Sequence, residues 1–336
     1  MRIGSDNTFD RPLIVAEIGN NHEGSFDVAC KLVETAVECG VDAVKFQTFQ
    51  TKYYVSCRDE ARYRRLQSFE LTIGQFGKLA ELARSLGVSF ISTPFDLESA
   101  RNLEGLVDAY KISSGDNDFF PLIHQVSLQA KPLIISTGLA DLKHVQNVSS
   151  YIRGTRAAAG IEADHAVLHC VSAYPVPTAE ANLQVISALK VTLDCEIGYS
   201  DHTLGPMACL AAAALGATII EKHFTLDKNY SDFRDHQLSA DPLEMKFITK
   251  SVKEVAELRG GMSKEIQASE EGNTLLARRS IVAARDLSKG EMITDQDLTW
   301  IRPRDGLVPG MEFLLVGKRL VRAVEFGLPI LLNDVE

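Results

Sequence analysis

Lys45 with Gln47, Ser200 with His202, and Glu221 with His223 are polar pairs whose members stand two residues apart. Residues two apart in an extended strand share a face, so each pair would deliver both side chains to one place. Two neutral imidazoles with carboxylates nearby suit a divalent transition ion such as Mn²⁺ and leave coordination positions for a substrate oxygen. Lys45 and Lys111, joined by Ser114, Ser136 and Ser200, are cations and hydroxyl donors of the kind that bind phosphate and carboxylate. The same lysines in a buried mouth have a second reading, as Schiff-base nucleophiles of an aldolase or lyase. The ordinary reading is solvated or ion-paired lysines and structural histidines.

These residues fall at the ends of short apolar runs that read as strands: 13–18, 42–47, 89–95, 109–114, 132–138, 166–172, 196–201 and 218–224. Between them, stretches such as 25–39, 73–86, 142–159 and 207–215 carry apolar residues at three- and four-residue steps, as amphipathic helices do. Eight strand–helix alternations predict a parallel sheet closed into an α/β (β/α)₈ TIM barrel. An open doubly wound sheet is the alternative, disfavoured because no G-x-G-x-x-G follows the first strand.

Polar residues collect at the C-terminal ends of all eight runs, including Glu17, Thr93, Ser113, Thr137, His169, Ser172 and Asp201. That rim is where barrel active sites lie, whereas mere contact with solvent accounts for one or two such ends and not eight. Residues 1–260 therefore read as the catalytic barrel, 261–279 as a linker, and 280–336 as a small β-rich module with short strands at 280–284, 292–293, 298–301, 320–323 and 329–332.

The chain has 336 residues, 45% hydrophobic and 24% charged, which are globular proportions. A net charge of -10 argues against nucleic acid or an anionic membrane as partner. The polar first eleven residues lack the apolar stretch of a secretory signal, and the longest apolar run, 207–220, is shorter than the roughly 20 residues of a membrane span. With six cysteines and no C-x-x-C, reduced thiols in a cytoplasmic setting are expected.

The stretch Ile14-Val15-Ala16-Glu17-Ile18-Gly19-Asn20-Asn21-His22-Glu23-Gly24 closely resembles the opening motif of the sialic acid (N-acetylneuraminate) synthases. The likeness continues in order through Val44-Lys45-Phe46-Gln47-Thr48, Tyr110-Lys111-Ile112-Ser113-Ser114-Gly115, Gly198-Tyr199-Ser200-Asp201-His202-Thr203 and Glu221-Lys222-His223-Phe224-Thr225. Residues 280–336 resemble the family's antifreeze-like (SAF) domain, and the whole likeness spans about residues 12–336.

This resemblance implies a transferase that condenses phosphoenolpyruvate with an N-acylated mannosamine-type aldehyde to give a nonulosonic acid and phosphate. His202 and His223 would be the metal ligands, for Mn²⁺ first and Mg²⁺ or Co²⁺ otherwise. Lys45, Lys111, Ser114, Ser136 and Ser200 would hold phosphoenolpyruvate, with Thr93 and Ser172 near it. Glu17, Gln47, Tyr174 and Asp235 would meet the open-chain sugar, while Glu17, Asp116 and Glu221 would handle water and protons. Arg302 would reach the site of a partner copy in a domain-swapped homodimer.

Departures from the family pattern bear on the acceptor. Asp116 stands where a Glu is common, Ser172 replaces an Asn of some members, and the loop after the eighth strand reads Asp232-Phe233-Arg234-Asp235-His236. N-acetylmannosamine is the default acceptor, with a 2,4-diacetamido-trideoxyhexose of legionaminic or pseudaminic type, or a phosphorylated hexosamine, as competitors. Rival classes are another phosphoenolpyruvate–aldehyde synthase reading a second phosphate through extra arginines, a Schiff-base lyase, and a degenerate barrel that only binds carbohydrate.

Overall fold

The computed structural model describes residues 1–4, 6–8, 11–261 and 263–336. They form two compact units, Met1–Gly260 and Gly261–Glu336. No helix among the described residues is long and apolar enough to cross a membrane, and all six cysteines are free thiols.

In the first unit eight parallel strands close into a barrel: β1 Leu13–Gly19, β2 Ala43–Thr48, β3 Ser89–Pro94, β4 Ala109–Ile112, β5 Leu133–Ser136, β6 His165–Cys170, β7 Glu196–Asp201 and β8 Ile219–His223, with β8 pairing back onto β1. The surrounding helices are α1 Phe26–Glu38, α2 Ile73–Ser85, α3 Leu97–Asn102, α4 Phe120–Ser127, α5 Leu142–Ala159, α6 Gln184–Thr192, α7 Met207–Ala214 and α8 Pro242–Arg259. Their starts are written locally. Ser25, Asp141 and Asp241 each cap orphan backbone N–H groups, and Thr72 with Gln75 forms a capping box.

The barrel positions its chemistry by simple alternation. Leu13, Val15, Ala43, Ile91, Ala109, Ile134, Leu168 and Ile219 fill the interior, where Met1 and Ile3 join them, while Ile14, Val44, Phe90, Tyr110, Ile135, Val167 and Ile220 pack outward in the main core. Two residues beyond the interior apolar layer stand Glu17, Lys45, Thr93, Lys111, Ser136, Cys170 and Glu221, all buried or nearly so. The polar floor of the site is thus the next inward layer of a packed barrel. Gly198 leaves room on β7, since a Cβ there would stand 2.5 Å from Leu168 Cδ2 and 2.5 Å from the Ile219 carbonyl oxygen.

Three strands stop two residues earlier than expected. β4 ends at Ile112 because Ser114–Asp116 turns into a 3₁₀ helix, held by a 2.7 Å bond from the Ser113 hydroxyl to Asp116. β5 ends at Ser136, and β6 runs from His165 to Cys170. Ser114, Gly138 and Ser172 therefore sit on loops; a Cβ on Gly138 would stand 2.2 Å from the Ser172 hydroxyl and 2.7 Å from that of Ser114.

Two loops rise over the barrel mouth. The one after β2 carries short helices at Thr51–Tyr54 and Glu60–Phe69, pinned where Thr51 N donates to Glu70 at 2.7 Å and Gln50 N to Asp96 at 2.9 Å. The one after β8 carries Arg234–Leu238. Phe49, Phe69 and Phe95 form a separate apolar cluster with Tyr54, Leu66 and Phe233 packed on it.

The second unit has its own core of Ile281, Ala283, Leu287, Ile293, Leu298, Leu315, Leu320, Val324 and Ile330. Its antiparallel pair is β9 Ser280–Ala283 with β10 Leu298–Ile301. The strands expected at 292–293, 320–323 and 329–332 are single bridges instead, because Gly290, Gly317 and Gly327 turn the chain at φ 83°, 83° and 82°. The stretch 261–279, expected as a linker, groups with this unit. It contains a 3₁₀ helix, Ala268–Asn273, and is tied in by Arg304 N to the Leu275 carbonyl at 2.9 Å.

Candidate active site

A cavity of about 790 Å³ opens at the C-terminal ends of the barrel strands, a size typical of ligand pockets, which run from about 300 to 1,000 Å³. Glu17, Lys45, Gln47, Thr93, Lys111, Ser114, Asp116, Ser136, Ser172, Tyr174, Ser200, His202, Glu221, His223 and Asp235 all line it. Arg302, also expected at the site, is an exposed residue of the second unit.

Four charges meet at its floor. Lys45 Nζ lies 2.6 Å from Glu17 Oε2 and 3.5 Å from Glu221 Oε1, and Lys111 Nζ lies 3.0 Å from the same Glu221 oxygen. Ser200 Oγ donates to Glu221 at 3.2 Å, Lys45 to Thr93 Oγ1 at 3.1 Å, and Gln47 Nε2 to Glu17 at 2.8 Å. Burial works against ionisation of Glu221, but Lys111 and Lys45 outweigh it and hold its carboxyl at about 2. Burial raises the Glu17 carboxyl against the pull of Lys45, and the charge of Glu221 adds to the rise. For Lys45 burial is overcome by the two carboxylates and its affinity for the proton rises; for Lys111 burial prevails and it falls.

Such a cluster is electrically balanced and preassembled, yet incomplete. Glu221 Oε2 and the Ser136 hydroxyl are buried without a hydrogen-bond partner, and groups of that kind are satisfied when a polar ligand enters. Two ammonium groups and several hydroxyls can hold a small dianionic or trianionic substrate there.

Above the floor, the rings of His202 and His223 stand 5.3 Å apart, with the Tyr174 ring 4.2 Å from His202 and tilted 30° to it. Nδ1 of His202 donates to the Val171 carbonyl at 2.9 Å, which leaves Nε2 as a lone-pair donor. His223 Nδ1 is buried without a partner. Burial, His202 and Lys45 together push the His223 imidazole well below its ordinary range, so it is neutral. On His202 burial is outweighed by Cys170 and the Val171 carbonyl. No three His, Cys, Asp or Glu side chains among the described residues converge as metal ligands. The imidazole pair therefore fits an ion whose other positions are taken by substrate oxygen or water.

At the outer wall the Arg234 guanidinium lies 4.7 Å over the Tyr174 ring and 3.4 Å from Asp235. Burial raises the carboxyls of Asp235 and Asp116, against Arg234 in the first case and against the Ser113 hydroxyl in the second.

Residues 32–264 match the NeuB family model and residues 278–336 the SAF domain model. The chain belongs to the NeuB family. It is 36% identical over 311 residues to the N,N'-diacetyllegionaminic acid synthase of Campylobacter jejuni, covering 88% of this chain and 92% of that one. It is 31% identical to the N-acetylneuraminate-9-phosphate synthase of Mus musculus, covering 96% of this chain and 92% of the other. Among solved structures, the N-acetylneuraminic acid synthetase of Leptospira borgpetersenii superposes with a TM-score of 0.76 at 28% identity, over 81% of this chain and 94% of that one. As a NeuB-family protein this chain is an enzyme of the transferase class, a barrel synthase followed by a SAF domain.

Some pocket residues of this NeuB-family barrel escaped sequence reasoning. Asn20 donates to Gln47 at 2.8 Å, Cys170 Sγ lies 3.7 Å from His202 Nδ1, and Arg62 and Arg65 line the outer cavity from the helix at 60–69. Conversely, three strand-end polar residues turn away from the mouth. Thr137 donates to the Leu168 carbonyl, His169 bonds the Ala181 carbonyl, and Asp201 pairs with Lys222.

Proposed function

We propose that this NeuB-family enzyme joins phosphoenolpyruvate to the open-chain aldehyde of an N-acylated hexosamine, giving a nonulosonic acid and phosphate. The observation that carries the reading is the convergence of Lys45 and Lys111, bridged by Glu221, beneath His202 and His223 in one cavity. Lys45, Lys111, Ser114, Ser136 and Ser200 hold the phosphate and carboxylate, with Thr93 and Ser172 beside them. His202 and His223 would hold a divalent ion, Mn²⁺ before Mg²⁺ or Co²⁺, which would supply Lewis acidity for the sugar aldehyde.

The chain's own groups perform the remaining work. Gln47, Tyr174 and Asp235 orient the sugar so that C3 of the enol faces its aldehyde carbon. Forming the C–C bond breaks the aldehyde C=O π bond, whose oxygen takes up a proton to become the product hydroxyl, and leaves a cation at C2, which the buried Glu221 carboxylate stabilises from the floor. Water adds at C2 and loses its proton to a carboxylate in reach, Glu17 or Asp116. The tetrahedral centre then collapses to the ketone, and the C2–O bond to phosphate breaks. Arg302, exposed on the second unit, fits a role in the site of a partner copy within a homodimer. A cytoplasmic enzyme follows from such a substrate.

Among acceptors, the apolar outer wall of Tyr54, Leu66, Phe95 and Phe233 supports a 2,4-diacetamido-2,4,6-trideoxyhexose, whose methyl group it can bury, over N-acetylmannosamine with its C6 hydroxyl. The relative named for diacetyllegionaminic acid points the same way. Arg62 and Arg65 at that wall favour, as a second reading, a phosphorylated hexosamine. Purified protein given phosphoenolpyruvate, Mn²⁺ and each acceptor separately tests this, with product mass and phosphate release as readout. The diacetamido sugar is expected to give the highest kcat/KM; higher kcat/KM with N-acetylmannosamine or its 6-phosphate would overturn the choice of acceptor.

A further inference from the structure

Asp201 and Lys222 stand one residue before His202 and His223, and because side chains alternate along a strand they face the opposite way. They are register partners on β7 and β8, their side chains are 0% exposed, and Lys222 Nζ lies 2.8 Å from Asp201 Oδ2. The remaining valences close on the same short segment. Asp201 Oδ1 accepts from Thr203 N at 2.8 Å and from the Tyr199 hydroxyl at 3.0 Å, Asp201 Oδ2 accepts from Cys209 Sγ at 3.4 Å, and Lys222 also donates to the Thr203 carbonyl. The backbone on both sides of His202 is thereby fastened to the residue that precedes His223.

Stability alone is a weak reason for such an arrangement. A fully buried ion pair is commonly no more stabilising than apolar side chains of the same volume, because the cost of removing both charges from water consumes the attraction. What the pair supplies is geometry: its directional bonds fix where β7 and β8 end relative to each other, and so fix the separation of two imidazoles that leave those ends.

We propose that Asp201 and Lys222 are positioning residues that hold His202 and His223 at the spacing and orientation needed to close on one divalent cation. The inference rests on the reading of these histidines as metal ligands. Outer groups that orient metal-binding histidines are typically worth about 10- to 100-fold in affinity.

The test is Mn²⁺ titration of full-length, chelator-stripped protein, with free Mn²⁺ read by electron paramagnetic resonance and folding followed by thermal melting. The double variant Asp201→Leu with Lys222→Met keeps the volume and removes both charges. It is expected to fold and to bind Mn²⁺ about 10- to 100-fold more weakly. A folded double variant with wild-type affinity overturns the proposal, since a purely structural pair would alter melting and not the affinity of the folded protein. Should the double variant fail to fold, Tyr199→Phe, which deletes one bond to Asp201, is expected to weaken Mn²⁺ binding measurably but by less than the roughly 10-fold lower bound set for loss of the whole pair; unchanged affinity there overturns it equally. Wild-type protein that binds no Mn²⁺ removes the metal reading and this proposal together, whereas intact wild-type binding with indifferent variants removes the positioning role alone.

Discussion

Glu17 and Lys45 are register partners on adjacent strands, and their side chains meet at 2.6 Å with almost no exposure to solvent. The ammonium that would bind phosphate is therefore already engaged by a carboxylate, and an anionic substrate must compete with it. Glu17→Gln removes that competitor and one proton acceptor together. Phosphoenolpyruvate is expected to bind the variant as tightly as wild type or a few-fold tighter by calorimetry, while turnover falls about 100-fold or more, the scale of a lost general base. Weaker binding with unchanged turnover would reverse the assigned role.

Lys111 stands on the other side of Glu221, 3.0 Å from its Oε1. Lys111→Met leaves that carboxylate with Lys45 alone and takes one cation from the anion site. Truncating one member of a buried charge pair costs about 2–5 kcal/mol, so phosphoenolpyruvate affinity is expected to drop by roughly 30- to 5,000-fold. Binding calorimetry checks it, with circular dichroism confirming that the barrel is retained.

His202→Ala and His223→Ala each remove one of the two imidazoles whose rings stand 5.3 Å apart. Phosphate release from phosphoenolpyruvate and acceptor is expected to be lost in both, and lost reversibly from wild type on treatment with a chelator. Restoration by Mn²⁺ in wild type and not in the variants is the accompanying result.

Stability should fall in acid through two histidines outside the site. Burial holds His22 at about 4, and burial together with Arg156 and Arg153 holds His165 at about 4. An unfolded imidazole titrates near 6.5, so between these values the unfolded chain binds more protons than the folded one. Stability is then full above pH 6.5 and is lost as pH falls toward 4, by up to about 3 kcal/mol per histidine. Urea unfolding at pH 7.5, 5.5 and 4.5 measures the slope, which His165→Asn is expected to reduce by about half.

Much of the fold and of the candidate site was legible because a period of two and a barrel rim make the same demand. Once Val15, Ala43, Ile91 and Ile219 are placed inward, Glu17, Lys45, Thr93 and Glu221 must follow them inward. The outward turn of Asp201 follows from the same alternation, since it stands between Ser200 and His202, whereas that of Thr137 and His169 was not legible, because strands buried on both faces show no apolar alternation to fix their phase. Cys170 reads in sequence as one more small apolar residue. Arg62 and Arg65 reach the cavity from a helix inside a long loop, and no local pattern relates them to it. In the second unit, glycine turns break into single bridges what looked like strands.

The most direct test of the account follows one oxygen atom. Phosphoenolpyruvate carrying ¹⁸O in the bridge between C2 and phosphorus is incubated with the enzyme, Mn²⁺ and the preferred acceptor, and both products are weighed by mass spectrometry. Attack by C3 followed by water at C2 requires the label to leave in the phosphate, one phosphate for each nonulosonic acid formed. Label retained at C2 of the sugar acid in freshly quenched product, or phosphate released without a new carbon–carbon bond, would contradict it.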